Sequence, residues 1–134
     1  MTQAEARRLM LTFDLLPPSI LSSNSRAHWG EKRRVVKAER ERAYYSAVAF
    51  WTDATGEATF KRARISYAFT AKDKRRRDWD NILTSCKPWQ DGLVDAGVIE
   101  ADDTDHLEIG TMTFSRGGED KTVITVEEIV AVLR

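Results

Sequence analysis

Two aspartates stand two residues apart in the segment KRRRDWDN, residues 74–81. In an extended chain, Asp78 and Asp80 point to the same side and Trp79 turns the other way, into the core. Carboxylates held close together repel each other unless one is protonated or a cation lies between them. Hard oxygen ligands of this kind suit Mg²⁺ or Mn²⁺ better than Zn²⁺. The pair indicates a metal site, although D-x-D pairs are also common in loops, where Asp80 would cap a helix.

Three further residues are candidates for the same site. Asp102 and Asp103 precede a predicted strand, and they would approach the first pair if that strand lay beside the one before the pair. Lys87 follows Asp80 by seven residues, or two helical turns, so the two share a helical face. A cation there would neutralise a phosphate oxygen or stabilise charge in a transition state. Taken alone, the spacing favours a solvated surface lysine.

Basic residues form two groups that suit a phosphate backbone. One group directly precedes the acids, where it would grip phosphates beside a scissile bond or only counterbalance the carboxylates. The other lies in the early turns of a predicted helix. The two groups are Lys74, Arg75, Arg76 and Arg77, and Lys32, Arg33, Arg34 and Lys37.

The formal net charge of zero is a cancellation between two halves of the chain. Residues 1–77 carry 17 Lys and Arg against 8 Asp and Glu, and residues 78–134 carry 4 against 13. This asymmetry indicates a basic surface for a polyanion and an acidic cluster that repels a polyanion unless cations are present. The same composition would result if the basic and the acidic residues were only solvated surface groups that pair with each other.

Composition excludes several other classes of protein. At 134 residues and 42% apolar, the chain is expected to form one soluble cytoplasmic domain over residues 1–134, with no membrane span. Cys86 is the only cysteine, so it has no partner for an internal disulfide. The two histidines, His28 and His106, lack zinc-ligand spacing, and no glycine-rich phosphate loop is present. We therefore expect no organic cofactor.

Hydrophobic periodicity predicts the elements that position these residues. The first half reads as a strand around Leu9, a long basic helix over about residues 31–52 with Val36 on its apolar face, and an alternating strand over residues 60–71. In that second strand, the alternation turns four residues inward: Ala63, Ile65, Tyr67 and Phe69.

The second half begins with a helix after the acids. Pro88 should kink or split this helix, and Gly97 should end it. A strand from about His106, a hairpin turn at GGED (117–120) and a last strand complete the order β-α-β-α-β-β. The order predicts an α/β (α+β) fold, in which two main helices pack on a small mixed sheet.

In combination, these motifs resemble the RusA family of Holliday-junction resolvases, which bacteria and often their prophages encode. The resemblance lies in the order of five features along the chain: D-x-D-N, a helix with a lysine, D-G-L, G-x-I and D-D. It covers most of the chain, from Leu16 to about Glu108. The matching segments are LPPSILSSNSRAHWGEKRRVVK, RRRDWDNILTSCKPWQDGLVDAGVI and DDTDHL.

The resemblance implies a homodimeric, Mg²⁺-dependent (or Mn²⁺-dependent) endodeoxyribonuclease of DNA recombination and repair. Such an enzyme hydrolyses phosphodiesters in branched DNA and resolves four-way junctions by paired symmetric nicks. By position, the family's essential acids, which act in catalysis and hold the metal, correspond to Asp78, Asp80 and Asp103, with Asp102 as a further metal ligand. DNA contacts are implied for Asn24, Arg26 and His28.

The essential lysine is where this sequence departs from the family. In the founding type of the family, this lysine follows the second acid by four residues, where Thr84 stands here. Lys87 comes three residues later on roughly the same helical face, so we assign it the same catalytic role. Two alternatives use the same residues: a metal-dependent nuclease for flaps or other branched DNA, and a non-catalytic DNA-binding module.

Overall fold

The computed structural model describes residues 7–54 and 59–130. Within these ranges, four strands form one sheet in the order β1-β4-β2-β3. They are β1 (Arg8–Phe13), β2 (Ala63–Ala71), β3 (Leu107–Arg116) and β4 (Lys121–Glu128). β4 pairs antiparallel with β1 and with β2, whereas β2 pairs parallel with β3. The mixed sheet confirms the predicted α+β fold.

In the part of the chain that the structure describes, three α-helices connect and cover the strands. They are α1 (Trp29–Ala54), α2 (Trp79–Ser85) and α3 (Lys87–Asp95), and a short 3₁₀ turn (Ser19–Leu21) precedes α1. Within the described ranges, no helix is long and apolar enough to cross a membrane. The element order agrees with the predicted one, except that the second helix is divided into α2 and α3.

Pro88 explains this division. It is the second residue of α3, a position where its missing N–H breaks no helical hydrogen bond, and the break falls at Cys86. Gly97, with φ of 78°, lies just beyond the C-terminus of α3. Its left-handed conformation favours glycine. The predicted split at Pro88 and the predicted end at Gly97 are confirmed.

The predicted hairpin at GGED is wrong, because β2 lies between β3 and β4. Residues 117–120 cross the end of β2, where Gly117 N–H donates to the Ala71 carbonyl (3.1 Å) and the Asp120 carboxylate accepts from Lys72 N–H (2.8 Å). To pass over β2, the link from β3 to β4 must cover two strand spacings, or about 10 Å, and residues 117–120 are long enough to do so. The short connection therefore skips one strand.

The core lies between the sheet and the helices. Every second side chain of β2 is buried, as the alternation predicted, and the inward residues of β1 and β4 join the same cluster. α1 buries positions four apart, Glu39, Ala43 and Ala47, whereas Val36 is exposed, so its predicted place on the apolar face is wrong. Trp89 Nε1 donates to the buried Glu39 carboxylate (2.9 Å), and this bond makes burial of the acid tolerable.

α3 lies unusually close to α1 at Gly92. A Cβ added at Gly92 would stand 2.3 Å from the Arg40 carbonyl oxygen and 2.8 Å from Ala43 Cβ. Only glycine permits this backbone approach. Gly92 therefore sets the position of α3, and with it the position of Lys87 at the start of that helix.

Candidate active site

The two acids of D-x-D lie at the start of α2. Asp78 is the N-cap residue and is still extended, whereas Asp80 already belongs to the first helical turn. The two side chains line different cavities, Asp78 one and Asp80 another. The expectation that both share one face is therefore wrong.

Trp79 is also placed differently from the prediction. Its side chain is 46% exposed and packs over the sheet against Phe69 and Phe114, at ring distances of 6.2 and 6.4 Å. The indole anchors the start of α2 to the sheet surface, but it is not buried in the core.

Asp78 faces an open cavity of about 590 Å³. We call it the arginine cavity, and its lining includes Asn24, Arg75, Arg76, Arg77 and Asp78. Two segments far apart in sequence meet here, because the hydroxyl of Ser23 bonds to the Asn81 side-chain carbonyl (2.5 Å). The structure thus brings one predicted DNA contact of the N-terminal segment, Asn24, beside three of the predicted basic residues.

The arginines of this cavity have different environments. Arg77 is 15% exposed, binds Asp73 through both carboxylate oxygens (3.0 and 3.1 Å) and lies over the Phe114 ring at 5.5 Å. The bond from Arg77 is the main reason that the pKa of Asp73 lies below its ordinary value. Arg76 is 94% exposed, and its Nε lies 4.0 Å from Asp78. Arg76 therefore presents its charge to solvent, whereas Arg77 supports the loop.

Asp80 faces a second cavity, of about 470 Å³. We call it the lysine pocket, and it is lined by Asp80, Leu83, Thr84, Lys87, Gln90 and Ile109. Lys87 and Thr84, the two positions that the sequence resemblance offered for an essential lysine, thus border one pocket. Lys87 Nζ bonds to Asp91 (2.9 Å) and to Asp102. Asp102 therefore reaches this site through Lys87.

These bonds fix the charge of Lys87. Partial burial acts to lower the pKa of Lys87, but its bonds to Asp102 and Asp91 outweigh burial and leave the pKa above the ordinary value. The same bond from Lys87 is the main cause of the lowered pKa of Asp102. Lys87 is a fixed cation at neutral pH and is unsuited to act as a general base.

Asp103 is engaged elsewhere. Its carboxylate lies 2.6 Å from His106 Nδ1 and accepts backbone N–H bonds from Asp105 (2.9 Å) and His106 (3.1 Å). The His106 bond is the main reason that the pKa of Asp103 is lowered, and it raises the pKa of His106 in turn. Asp103 therefore stabilises the turn that leads into β3.

The strand directions do not by themselves bring the two acidic pairs together. β2 and β3 are neighbours, as anticipated, but they are parallel, with Ala63 opposite Leu107 and Ala71 opposite Arg116. Asp78 follows the end of β2, whereas Asp103 precedes the start of β3, so they leave opposite ends of a strand pair about 26 Å long. Adjacent strands alone do not bring these acids together.

The four predicted metal ligands supply the oxygen donors that Mg²⁺ prefers. However, the described residues contain no group of three or more His, Cys, Asp or Glu side chains placed to hold a metal ion. The geometry of this structure therefore does not fit a three-aspartate metal site. The assignment of Asp78, Asp80, Asp102 and Asp103 as metal ligands stays a prediction.

The remaining predicted DNA contacts lie on the surface. Lys32, Arg33, Arg34 and Lys37 line an open groove of about 720 Å³ on α1, together with Trp29, Gly30, Val36 and Arg40. This α1 groove shares no lining residue with the other two cavities. Arg26, His28 and Lys74 are exposed.

Sequence reasoning missed two residues of these surfaces. Asp91 binds Lys87, and its i, i+4 spacing from that lysine was a readable signal. Trp29, at the first position of α1, is exposed within the basic groove, and no periodicity distinguishes an exposed tryptophan from a buried one.

Comparison with known proteins adds no relative. No protein-family model matches the chain, and no curated protein is significantly similar to it. The fold and the cavities define an α+β domain in which one short helix separates an arginine-rich cavity from a pocket that holds an acid-bound lysine.

Proposed function

We propose that this chain is a RusA-like, structure-specific endodeoxyribonuclease that binds four-way DNA junctions and cuts them by paired symmetric nicks. One observation carries the proposal: Lys87 borders one pocket with Asp80 and bonds to Asp102. Two acidic segments that are distant in sequence are linked at the lysine to which the family resemblance gives a catalytic role.

The basic surfaces suit substrate binding. Arginine side chains grip phosphates without reading base sequence, so specificity would come from the shape of the DNA. In this proposal, Arg76 and its neighbours in the arginine cavity hold the backbone next to Asp78, and the α1 groove holds a second stretch of DNA.

The lysine pocket suits the chemical step. Lys87, a fixed cation, would stabilise negative charge on the phosphate in the transition state. Two of its three N–H donors bind Asp91 and Asp102, so the third is left for a phosphate oxygen while the two carboxylates hold the ammonium in place. For Mg²⁺ or Mn²⁺ to supply Lewis-acid chemistry, the predicted acids would have to move together, because the described residues hold no group of three such ligands.

A homodimer completes the proposal. A four-way junction has two-fold related strands, and two copies of one active site related by a two-fold axis match that symmetry. Paired nicks follow from this arrangement.

A non-catalytic DNA-binding module is the second candidate. The lack of a three-ligand metal group among the described residues favours it, as do the ion pairs at Asp102 and Asp103. This candidate keeps the basic surfaces and gives the acids a structural role.

One assay separates these candidates. Purified protein is incubated with labelled four-way junction, flap and linear duplex, with and without Mg²⁺ or Mn²⁺, and the cut sites are mapped. Symmetric, metal-dependent nicks confined to the junction are expected. Cutting of flaps instead would indicate another branched-DNA nuclease, and uniform duplex cutting would overturn the resolvase proposal. Binding without any cutting would indicate the module.

A further inference from the structure

Trp29 is an unusual surface residue. Its side chain is 63% exposed, whereas Trp89 is fully buried and Trp79 is about half exposed. Leaving an indole in water forgoes much of the stabilisation that its burial provides. Trp29 therefore presents an exposed aromatic face among the basic residues of α1.

Neighbouring groups hold this indole in place. The His28 ring lies 5.5 Å from it with a tilt of 31°, and Gly30 N–H donates to His28 Nδ1 (3.1 Å), which fixes the imidazole. The Arg33 guanidinium lies 5.3 Å from the indole centre. Trp29 thus belongs to a small ordered platform of two rings and one cation.

The charge of the α1 groove limits the ligand to an anion. Its lining contains no acidic residue and five basic ones, of which Arg40 is bound to Asp95 and Lys32 donates to the Ser25 carbonyl. Arg33, Arg34 and Lys37 supply further charge beside the indole. A polyanion with flat aromatic faces matches both properties.

We infer that the α1 groove binds unpaired nucleotides, with a base stacked on Trp29 and the adjoining phosphates on Arg33, Arg34 and Lys37. A duplex offers the same phosphates, but its bases are already stacked on each other, so only an unpaired strand gains from the indole. The inference goes beyond the proposed function because it requires no cleavage.

Binding of a labelled thymidine oligonucleotide of about 12 nucleotides, followed by fluorescence anisotropy, tests the inference against a duplex of the same length. Trp29→Ala is expected to weaken single-strand binding by roughly 5- to 150-fold, because stacking on an aromatic side chain contributes about 1–3 kcal/mol per base. Duplex binding should stay nearly unchanged, and Trp29→Phe should keep most of the single-strand affinity.

Tyr45→Ala is the matched control. Tyr45 is 67% exposed on the same helix, but it does not line the groove, so its removal should change neither affinity. Equal weakening of single-strand and duplex binding by Trp29→Ala, or no weakening, would overturn the inference. So would a Trp29-dependent affinity for phosphatidylserine vesicles that exceeds the affinity for the oligonucleotide, since it would indicate a membrane surface as the ligand.

Discussion

The two sides of α2 balance their charges differently. On one side, the arginine cavity presents Arg76 to solvent, 4.0 Å from Asp78, a separation at which exposed ion pairs contribute little. On the other side, the cation of the lysine pocket, Lys87, is bonded to both Asp91 and Asp102. One cavity has a cation ready for an anion, and the other has a cation already bound.

This difference assigns the two cavities different tasks within the proposed function. Arg76 can meet a phosphate without losing a bond, which suits fast binding driven by charge. Lys87 has one N–H donor left for a phosphate, and the two carboxylates bound to it repel an anion, so this contact depends on correct placement of the substrate. The arginine cavity would bind DNA, and the lysine pocket would carry out the reaction.

The largest effect is expected from the acid of the lysine pocket. Asp80→Asn should reduce junction cleavage on the order of a thousandfold, because it removes the charged group that faces Lys87 in the pocket. Junction binding should survive or tighten, since one carboxylate no longer repels the phosphates. Single-turnover cleavage and gel-shift binding measure the two effects. Glu41→Gln, an exposed acid on α1 that lines none of the three cavities, should change neither.

The next effect concerns stability and the position of α3. Gly92→Ala should lower the free energy of unfolding by about 1–3 kcal/mol, because the added methyl group would overlap the Arg40 carbonyl. Urea unfolding measures this loss. Gly118→Ala, at an exposed turn, should cost less, because its Cβ would meet a side-chain methyl group of Thr70 at 2.9 Å instead of a backbone atom. An unchanged unfolding curve for Gly92→Ala would show that α3 can move away from α1.

A smaller effect separates the two arginines of the arginine cavity. Arg76→Ala should weaken junction binding severalfold and reduce the slope of log affinity against log salt by about one, as expected for one lost phosphate contact. Arg77→Ala should instead lower stability, because Arg77 binds Asp73 and covers Phe114. Titrations at several salt concentrations, with thermal unfolding of both variants, measure this difference. Identical behaviour of the two variants would contradict it.

The smallest effect is the pH dependence of the pair formed by Asp103 and His106. The pKa of His106 is raised in the folded state. The contribution of His106 to the free energy of unfolding is therefore complete below the unfolded pKa of 6.5, and it is lost as the pH rises through the folded pKa. The pKa of Asp103 is lowered in the folded state. Its contribution to the free energy of unfolding is therefore present above the unfolded pKa of 3.8, and it is lost as the pH falls through the folded pKa.

Urea unfolding of the parent and of His106→Gln checks this prediction. The stability difference between the two proteins should be largest in mildly acidic solution, between the two pKa values, and should shrink in alkaline solution. A difference that grows with pH would contradict the assigned pair.

Much of the fold could be predicted from local sequence patterns. The alternation of β2, the break at Pro88 and the stop at Gly97 each depend on a backbone rule that acts within a few residues. The hairpin at GGED could not be excluded locally, because its turn residues permit both a hairpin and a crossing over β2. Strand order depends on which long-range pairing buries more surface.

The site was predicted less completely for the same physical reason. Proximity of Lys87 to Asp80 follows from helical spacing, and it is present even though the helix is divided. The sides to which Asp78 and Asp80 point depend on where α2 begins. If the helix began two residues later, both acids would lie in extended chain and would point to the same side. Asp78 follows the end of β2, whereas Asp103 precedes the start of the parallel strand β3, and no local pattern carries that relative direction.

The most direct test measures nicks per bound four-way junction for Lys87→Ala and Arg76→Ala, at protein concentrations that saturate each variant. If the lysine pocket carries out the reaction and the arginine cavity binds DNA, Lys87→Ala will bind the junction without nicking it. Arg76→Ala will need more protein to saturate, but it will nick each bound junction at the parent rate. Parental nicking by Lys87→Ala, with loss of nicking per bound junction in Arg76→Ala, would contradict the account.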